Sequence, residues 1–319
     1  MEVSREKKQL HTLNFLKIFA ILLVFNSHCT NLYPYSVLAT GGALGNSLFF
    51  ILSGYFLKID GDKFFPWIKM RFLQLYPGMW FASIVNAIIL QYALSDIAEN
   101  FVYRYIFPTG YWFVGGLLLF NIMIWFLERY KVFDKFLVFS AIMVALYIIW
   151  YILFMDKTEW SVENPGFFRM IYYFYIYSLG YCQKTKKIQI NLKTFVALIG
   201  TIIGFVCNIG WKFVMVKIPT LMFTQFLCQV FCIIFAVSII LLGINMEKTY
   251  CRKLPVRFRR TVDFWSRYSL EIYFAQRIAQ RRLALGIVFP LNMVVAIMFT
   301  LVYALLLKKI IRLMTRRFL

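Results

Sequence analysis

Acidic side chains are scarce in this sequence. Only 14 Asp and Glu stand against 35 Lys and Arg in 319 residues, a formal net charge of +21. Charge of either sign is sparse too, at 15% of residues, where an ordinary soluble domain has roughly 25%. With 61% of residues hydrophobic and 20% aromatic, too little polar surface is left to coat a water-soluble globule. Histidine occurs twice, at His11 and His28. The six cysteines, at 29, 182, 207, 228, 232 and 251, include no CxxC pair, which argues for free thiols and no structural metal. Low-complexity linkers and internal repeats are missing, so positions 1–319 read as one domain. The basic charge is not accompanied by a basic–aromatic nucleic-acid motif, and no nucleic-acid partner is expected.

What is present suits a lipid bilayer. Mean hydropathy is +0.71, and each span needs about 20 mostly apolar residues. The pattern predicts an all-α polytopic transmembrane bundle of about ten spans, near 12–29, 40–57, 76–93, 110–127, 134–154, 167–182, 193–211, 220–243, 266–285 and 290–308. The first apolar run, Leu13 to Ser27, lacks a small-residue cleavage site after it and reads as a retained span. Between the second and third spans, Lys58 to Gln74 alternates Phe64, Phe65, Trp67 and Ile68 with Lys63, Lys69 and Arg71. That pattern predicts a separate short helix lying at the interface.

Loop charges alternate. The N-terminal tail and the loops at 58–71, 128–135, 183–193 and 244–265 are basic, as is the C-terminal tail. The loops at 29–39, 94–109 and 155–166 are neutral or acidic. The positive-inside rule then places both termini in the cytoplasm. Arg277, Arg281 and Arg282 break the rule, since they fall late in the ninth span. Either that segment spans only partly, or the arginines form an anion-binding wall near the outer mouth.

Several side chains carry potential chemistry. His28 ends the first span in Asn26-Ser27-His28-Cys29, and imidazole is the usual general base near neutral pH. Lys17 precedes it by eleven residues, which returns to nearly the same helix face about 16 Å along the axis. An interfacial histidine and a snorkelling lysine are the structural alternatives. In the second span Ser53 and Gly54 permit close helix approach, and Tyr55 offers a hydroxyl. Arg71 lies just before Tyr76-Pro77, while Trp112 opens the fourth span within an aromatic trio. Glu271 places a carboxylate inside the ninth span and calls for a cation, with Arg71 or Lys17 as the expected partner.

Taken together, these segments resemble the acyltransferase-3 family of membrane acyltransferases over most of the chain. Lys17 and His28 resemble its first-helix basic residue and histidine. Phe49 to Tyr55, Arg71 to Pro77, Trp112 and Ser269 to Tyr273 resemble its later landmarks. Three positions depart from the pattern: Lys17 stands where arginine is usual, Gln74 replaces a second arginine, and Gln276 holds a place often taken by histidine. Lysine keeps the charge but loses the planar fork of arginine.

The resemblance implies acyl transfer, usually of acetyl from acetyl-CoA as co-substrate, to a hydroxyl of a cell-surface carbohydrate such as capsule, exopolysaccharide or O-antigen. It implies a multi-pass protein of the bacterial inner membrane, with no permanently bound cofactor. The partners are an acyl-CoA donor, a carbohydrate acceptor and the bilayer; nothing in the sequence points to an oligomeric state. In this reading His28 is catalytic, and Lys17, Arg71, Ser53 and Tyr55 hold the donor. Asn26, Trp112, Glu271, Arg277 and Arg281 support the acceptor or the structure. A glycan transporter or flippase is the alternative from another class, with a catalytically inert relative as a third. The expected paired repeats of a transporter are not found.

Overall fold

A computed structural model describes residues 10–59, 63–91, 99, 101–106, 109–159, 166–249, 253–280 and 286–315. The described residues are helical and contain no strand. They build α1 (His11–Ser27), α2 (Gly42–Phe56), α3 (Phe64–Ile89), α4 (Trp112–Arg129), α5 (Phe136–Phe154), α6 (Gly166–Thr185), α7 (Thr194–Lys217), α8 (Phe226–Thr249), α9 (Val256–Ser266), α10 (Ser269–Ile278) and α11 (Leu291–Thr315). Seven helical stretches among the described residues are long and apolar enough to cross a bilayer. The 17-residue α1 is shorter, and α6 is interrupted by Arg169, Gln183 and Lys184. The protein is a multi-pass helical membrane protein.

Helix α2 sits at the centre, with Leu44, Leu48, Phe50, Ile51 and Leu52 all buried. It crosses α6 at a contact only glycine permits. A Cβ at Gly54 would lie 2.0 Å from the Tyr177 carbonyl oxygen, and one at Gly180 would lie 2.0 Å from that of Ile51. Lipid offers no hydrophobic drive between helices, so close backbone approach of this kind supplies the packing. The periphery shows the opposite. In the 19-residue α5 the buried residues are Phe139 and Met143, while Leu137, Ile152 and Leu153 point outward. An apolar face of that size is stable only in lipid.

Two expectations change here. The interface helix and the third span are one continuous helix, α3, running through Pro77. The residues before Pro77 form helix readily, and Arg71 and Trp67 anchor that part of α3 on the Lys58 carbonyl, at 2.8 and 3.0 Å. The segment before the ninth expected span is the other. Among the described residues α10 follows it from Ser269 to Ile278 and continues as a helical turn to residue 280. The preceding basic segment, expected to be loop, carries α9.

Basic residues gather at one end of the bundle. There the start of α1 meets the end of α8 through Thr12, which donates to Glu247 at 2.6 Å. Lys187 beyond α6 pairs with Glu128 at 3.5 Å and also with Asp134 in the α4–α5 turn. His11 meets Asp263 of α9 at 2.8 Å.

Candidate active site

At the basic end, α1, α2, α3, α4, α6 and α10 enclose a cavity of about 230 Å³. Lys17 enters from α1, Ser53 from α2, Arg71 and Gln74 from α3, Asn121 from α4, Tyr177 from α6 and Ser269 from α10. Phe49, Leu52, Leu75 and Leu117 supply apolar wall. The Lys17 ammonium lies 3.9 Å from the centre of the Phe56 ring, a cation–π contact. Among the described residues no carboxylate pairs with it. Arg71 is oriented by donating to the Lys58 carbonyl at 2.8 Å and to Gln74 Oε1 at 3.4 Å. Opposite, the Tyr177 hydroxyl donates to Asn121 Oδ1 at 2.6 Å. The arrangement provides two cations, hydroxyls and amides within a partly apolar chamber, which suits an anionic ligand with a polar, uncharged arm.

Sequence-expected residues divide into groups. Lys17, Ser53 and Arg71, far apart in sequence, line this one cavity. Tyr55 does not. Two residues beyond Ser53 the helix has turned about 200°, and its ring packs beneath the Lys184 ammonium at 5.0 Å. Glu271 finds neither Lys17 nor Arg71; its Oε1 pairs with Lys308 of α11 at 2.9 Å. The reason is tertiary, since α10 packs antiparallel on α11 and brings Lys308 beneath it. Glu271 Oε2 is buried without a hydrogen bond.

The remaining residues sit at the far end. Four helices each carry one cavity residue and, two to three turns away, one residue of this second group. The pairs are Lys17 and His28 on α1 and its cap, Asn121 and Trp112 on α4, Tyr177 and Arg169 on α6, and Ser269 and Arg277 on α10. The offsets are about 16, 14, 12 and 12 Å. His28 caps α1, donating its backbone N–H to the Phe25 carbonyl at 3.1 Å, and is exposed outside the cavity. Gln280 braces that turn by donating to Phe25 O at 3.0 Å. Cys29 is fully buried, with its thiol on the Phe25 carbonyl, and presents no accessible nucleophile. Asn26 spends its side chain on the α1–α2 connection, donating to Leu38 O and Thr40 O and accepting from Tyr33.

Arg169, which the motifs did not single out, lies with its guanidinium 4.3 Å from the Trp112 ring centre. Its Nε is buried without a hydrogen bond. The available signal was a lone arginine in an otherwise apolar run. Arg277 lies against Gly110, where an added Cβ would come 2.5 Å from its Nη1. Gly110 and Trp112 are two residues apart, so both guanidiniums lie against the same short stretch at the start of α4. Arg281 lies outside the described residues. Between the two ends stands an aromatic layer. Phe50 lies 4.5 to 5.9 Å from the rings of Phe113, Tyr173, Phe120 and Trp112.

A family model described as an acyltransferase domain matches residues 10–314. Among curated proteins and solved structures, none matches the chain. The match runs through both ends of the bundle and covers nearly the whole sequence: the chain belongs to the acyltransferase-3 family and is a membrane acyltransferase.

Proposed function

We propose that the protein transfers an acetyl group from acetyl-CoA to a hydroxyl of a cell-surface carbohydrate, with donor and acceptor entering at opposite ends of the bundle. The observation that carries this reading is the two-ended layout on four helices. A cationic chamber and a histidine about 16 Å apart along α1 call for a donor whose charge and reactive carbon are widely separated. Coenzyme A is such a molecule, with phosphates at one end and the thioester at the tip of a long, uncharged arm.

In this scheme Lys17 and Arg71 hold donor phosphate or pantetheine polar groups at the basic end, which the charge bias assigns to the cytoplasm. The arm passes the Ser53, Asn121 and Tyr177 side chains toward the aromatic layer. His28 accepts the proton of the acceptor hydroxyl as its oxygen attacks the thioester carbonyl. The tetrahedral intermediate collapses with cleavage of the C–S bond, and the thiolate of CoA leaves and takes up a proton. Trp112, Arg169 and Arg277 offer the acceptor a stacking face and two cations. The bacterial inner membrane is the location this substrate pairing requires.

The test compares membranes containing the wild-type chain or His28→Ala at equal abundance, supplied with acetyl-CoA. Free CoA and the acetyl content of surface glycans are measured by mass spectrometry. Loss of a general base is expected to lower both by about 100-fold or more. Normal glycan acetylation in the variant would remove His28 from the reaction.

A further inference from the structure

A second cavity, of about 410 Å³, opens beside α1 at the basic end, walled by α1, α7, α8 and α9. It is separate from the donor chamber and shares no lining residue with it. Its walls are apolar: Phe15, Phe19, Ile239, Leu242 and Met246 line it. From His11 at its mouth to Phe19 the cavity follows α1 for eight residues, about 12 Å, within the depth of one leaflet. Arg259 of α9 lines the same cavity, half-buried, with an Nε that is buried and makes no hydrogen bond.

From this geometry we infer a binding site for one anionic phospholipid, with an acyl chain in the cavity and the phosphate on Arg259. The charges around the mouth favour an anion. Arg257 and Arg260 flank Arg259 on α9 and are exposed. Two carboxylates face the same region, and both are engaged. Asp263 takes His11 at 2.8 Å and Asn14 at 2.8 Å, while Glu247 accepts from the Thr12 backbone N–H and hydroxyl. Helix α9 itself is built to lie on a membrane surface, with Val256, Phe258 and Phe264 exposed beside the arginines. A basic group over an apolar slot between spanning helices is the arrangement that recognises anionic headgroups. A neutral lipid fills the slot equally well but leaves the guanidinium unpaired.

The experiment uses the full chain purified in detergent. Unfolding temperature and lipid adducts, the latter by native mass spectrometry, are measured with phosphatidylglycerol, phosphatidylcholine of the same chains, or inorganic phosphate. Wild type is expected to retain phosphatidylglycerol and gain thermal stability from it beyond phosphatidylcholine, with no gain from phosphate. Arg259→Gln is expected to weaken phosphatidylglycerol retention about tenfold, the loss of one charge-assisted contact, while Arg257→Gln keeps it. Leu242→Trp, which fills the slot with every arginine intact, is expected to abolish it. Equal effects of the two phospholipids, equal losses in Arg257→Gln and Arg259→Gln, or full retention by Leu242→Trp would each overturn the site. None of these readouts depends on acyl transfer.

Discussion

Lys17 lies inside an apolar helix with the Phe56 ring face against its Nζ and, among the described residues, no carboxylate beside it. An ammonium so placed is poised for an anion that arrives from outside, and Arg71 lines the same chamber. Replacing Lys17 with Met or Arg71 with Ala is therefore expected to raise the acetyl-CoA KM about tenfold each, the cost of one charged hydrogen bond. The maximal rate should change much less, since neither side chain lies at the far end with His28. Steady-state kinetics with acetyl-CoA as the varied substrate separate these quantities; an unchanged KM in both variants would take the donor out of this chamber. Glu271 and Lys308 make a different kind of pair, internal and structural. Glu271→Gln or Lys308→Met alone should destabilise the bundle by about 3 kcal/mol, and the double variant by less than the sum. Thermal unfolding of the four proteins in detergent gives the coupling directly, and simple additivity would refute it. At this scale the family resemblance grouped Lys17, Ser53 and Arg71, which line one cavity, whereas helical spacing paired Lys17 with His28, which lies outside it. Neither made Arg169 legible, because no local motif surrounds that residue. The partner of Glu271 was hidden because Lys308 meets it only after α10 and α11 pack.

The bundle is set by a few backbone crossings between elements. At the α2–α6 crossing the obstacle to any side chain is a carbonyl, which cannot rotate aside. Gly180→Ala is expected to cost about 3 kcal/mol or more, the upper part of the overpacking range, and to lower the yield of folded protein. Gly210→Ala in α7 is the matched control. Its Cβ would meet nothing within 4 Å, so it should be neutral or stabilising by up to about 1 kcal/mol through helix propensity. Fluorescence-detected size exclusion and thermal unfolding read both; equal behaviour of the two variants would argue that the crossing is not tight. Most elements were legible from hydropathy, because a long apolar run has few other fates. Two boundaries were not. The polar-to-apolar change near residue 75 suggests a break in sequence, yet α3 continues because hydropathy marks membrane depth and not helix ends. Ahead of the ninth expected span α9 folds where a loop was expected, and α10 after it is covered by α1, α3 and α11, so its burial comes from protein contacts and not from lipid.

For the molecule as a whole, the charge bias and the helix directions point the same way. Lysines and arginines concentrate where the Lys17 chamber opens, and His28, Trp112, Arg169 and Arg277 occupy the opposite end. The aromatic layer around Phe50 lies between. Under the proposed function, such a layout would separate a large, charged donor from a carbohydrate that never has to cross the membrane, with only the acetyl group and the arm that bears it traversing the bundle.

Sealed membrane vesicles of defined orientation test that separation most directly. With the basic face outward, labelled acetyl-CoA is supplied outside and the carbohydrate acceptor is enclosed within. Label is expected on the enclosed acceptor, with free CoA left outside, and His28→Ala should abolish the transfer. Label appearing only when donor and acceptor share one side would contradict the two-ended account.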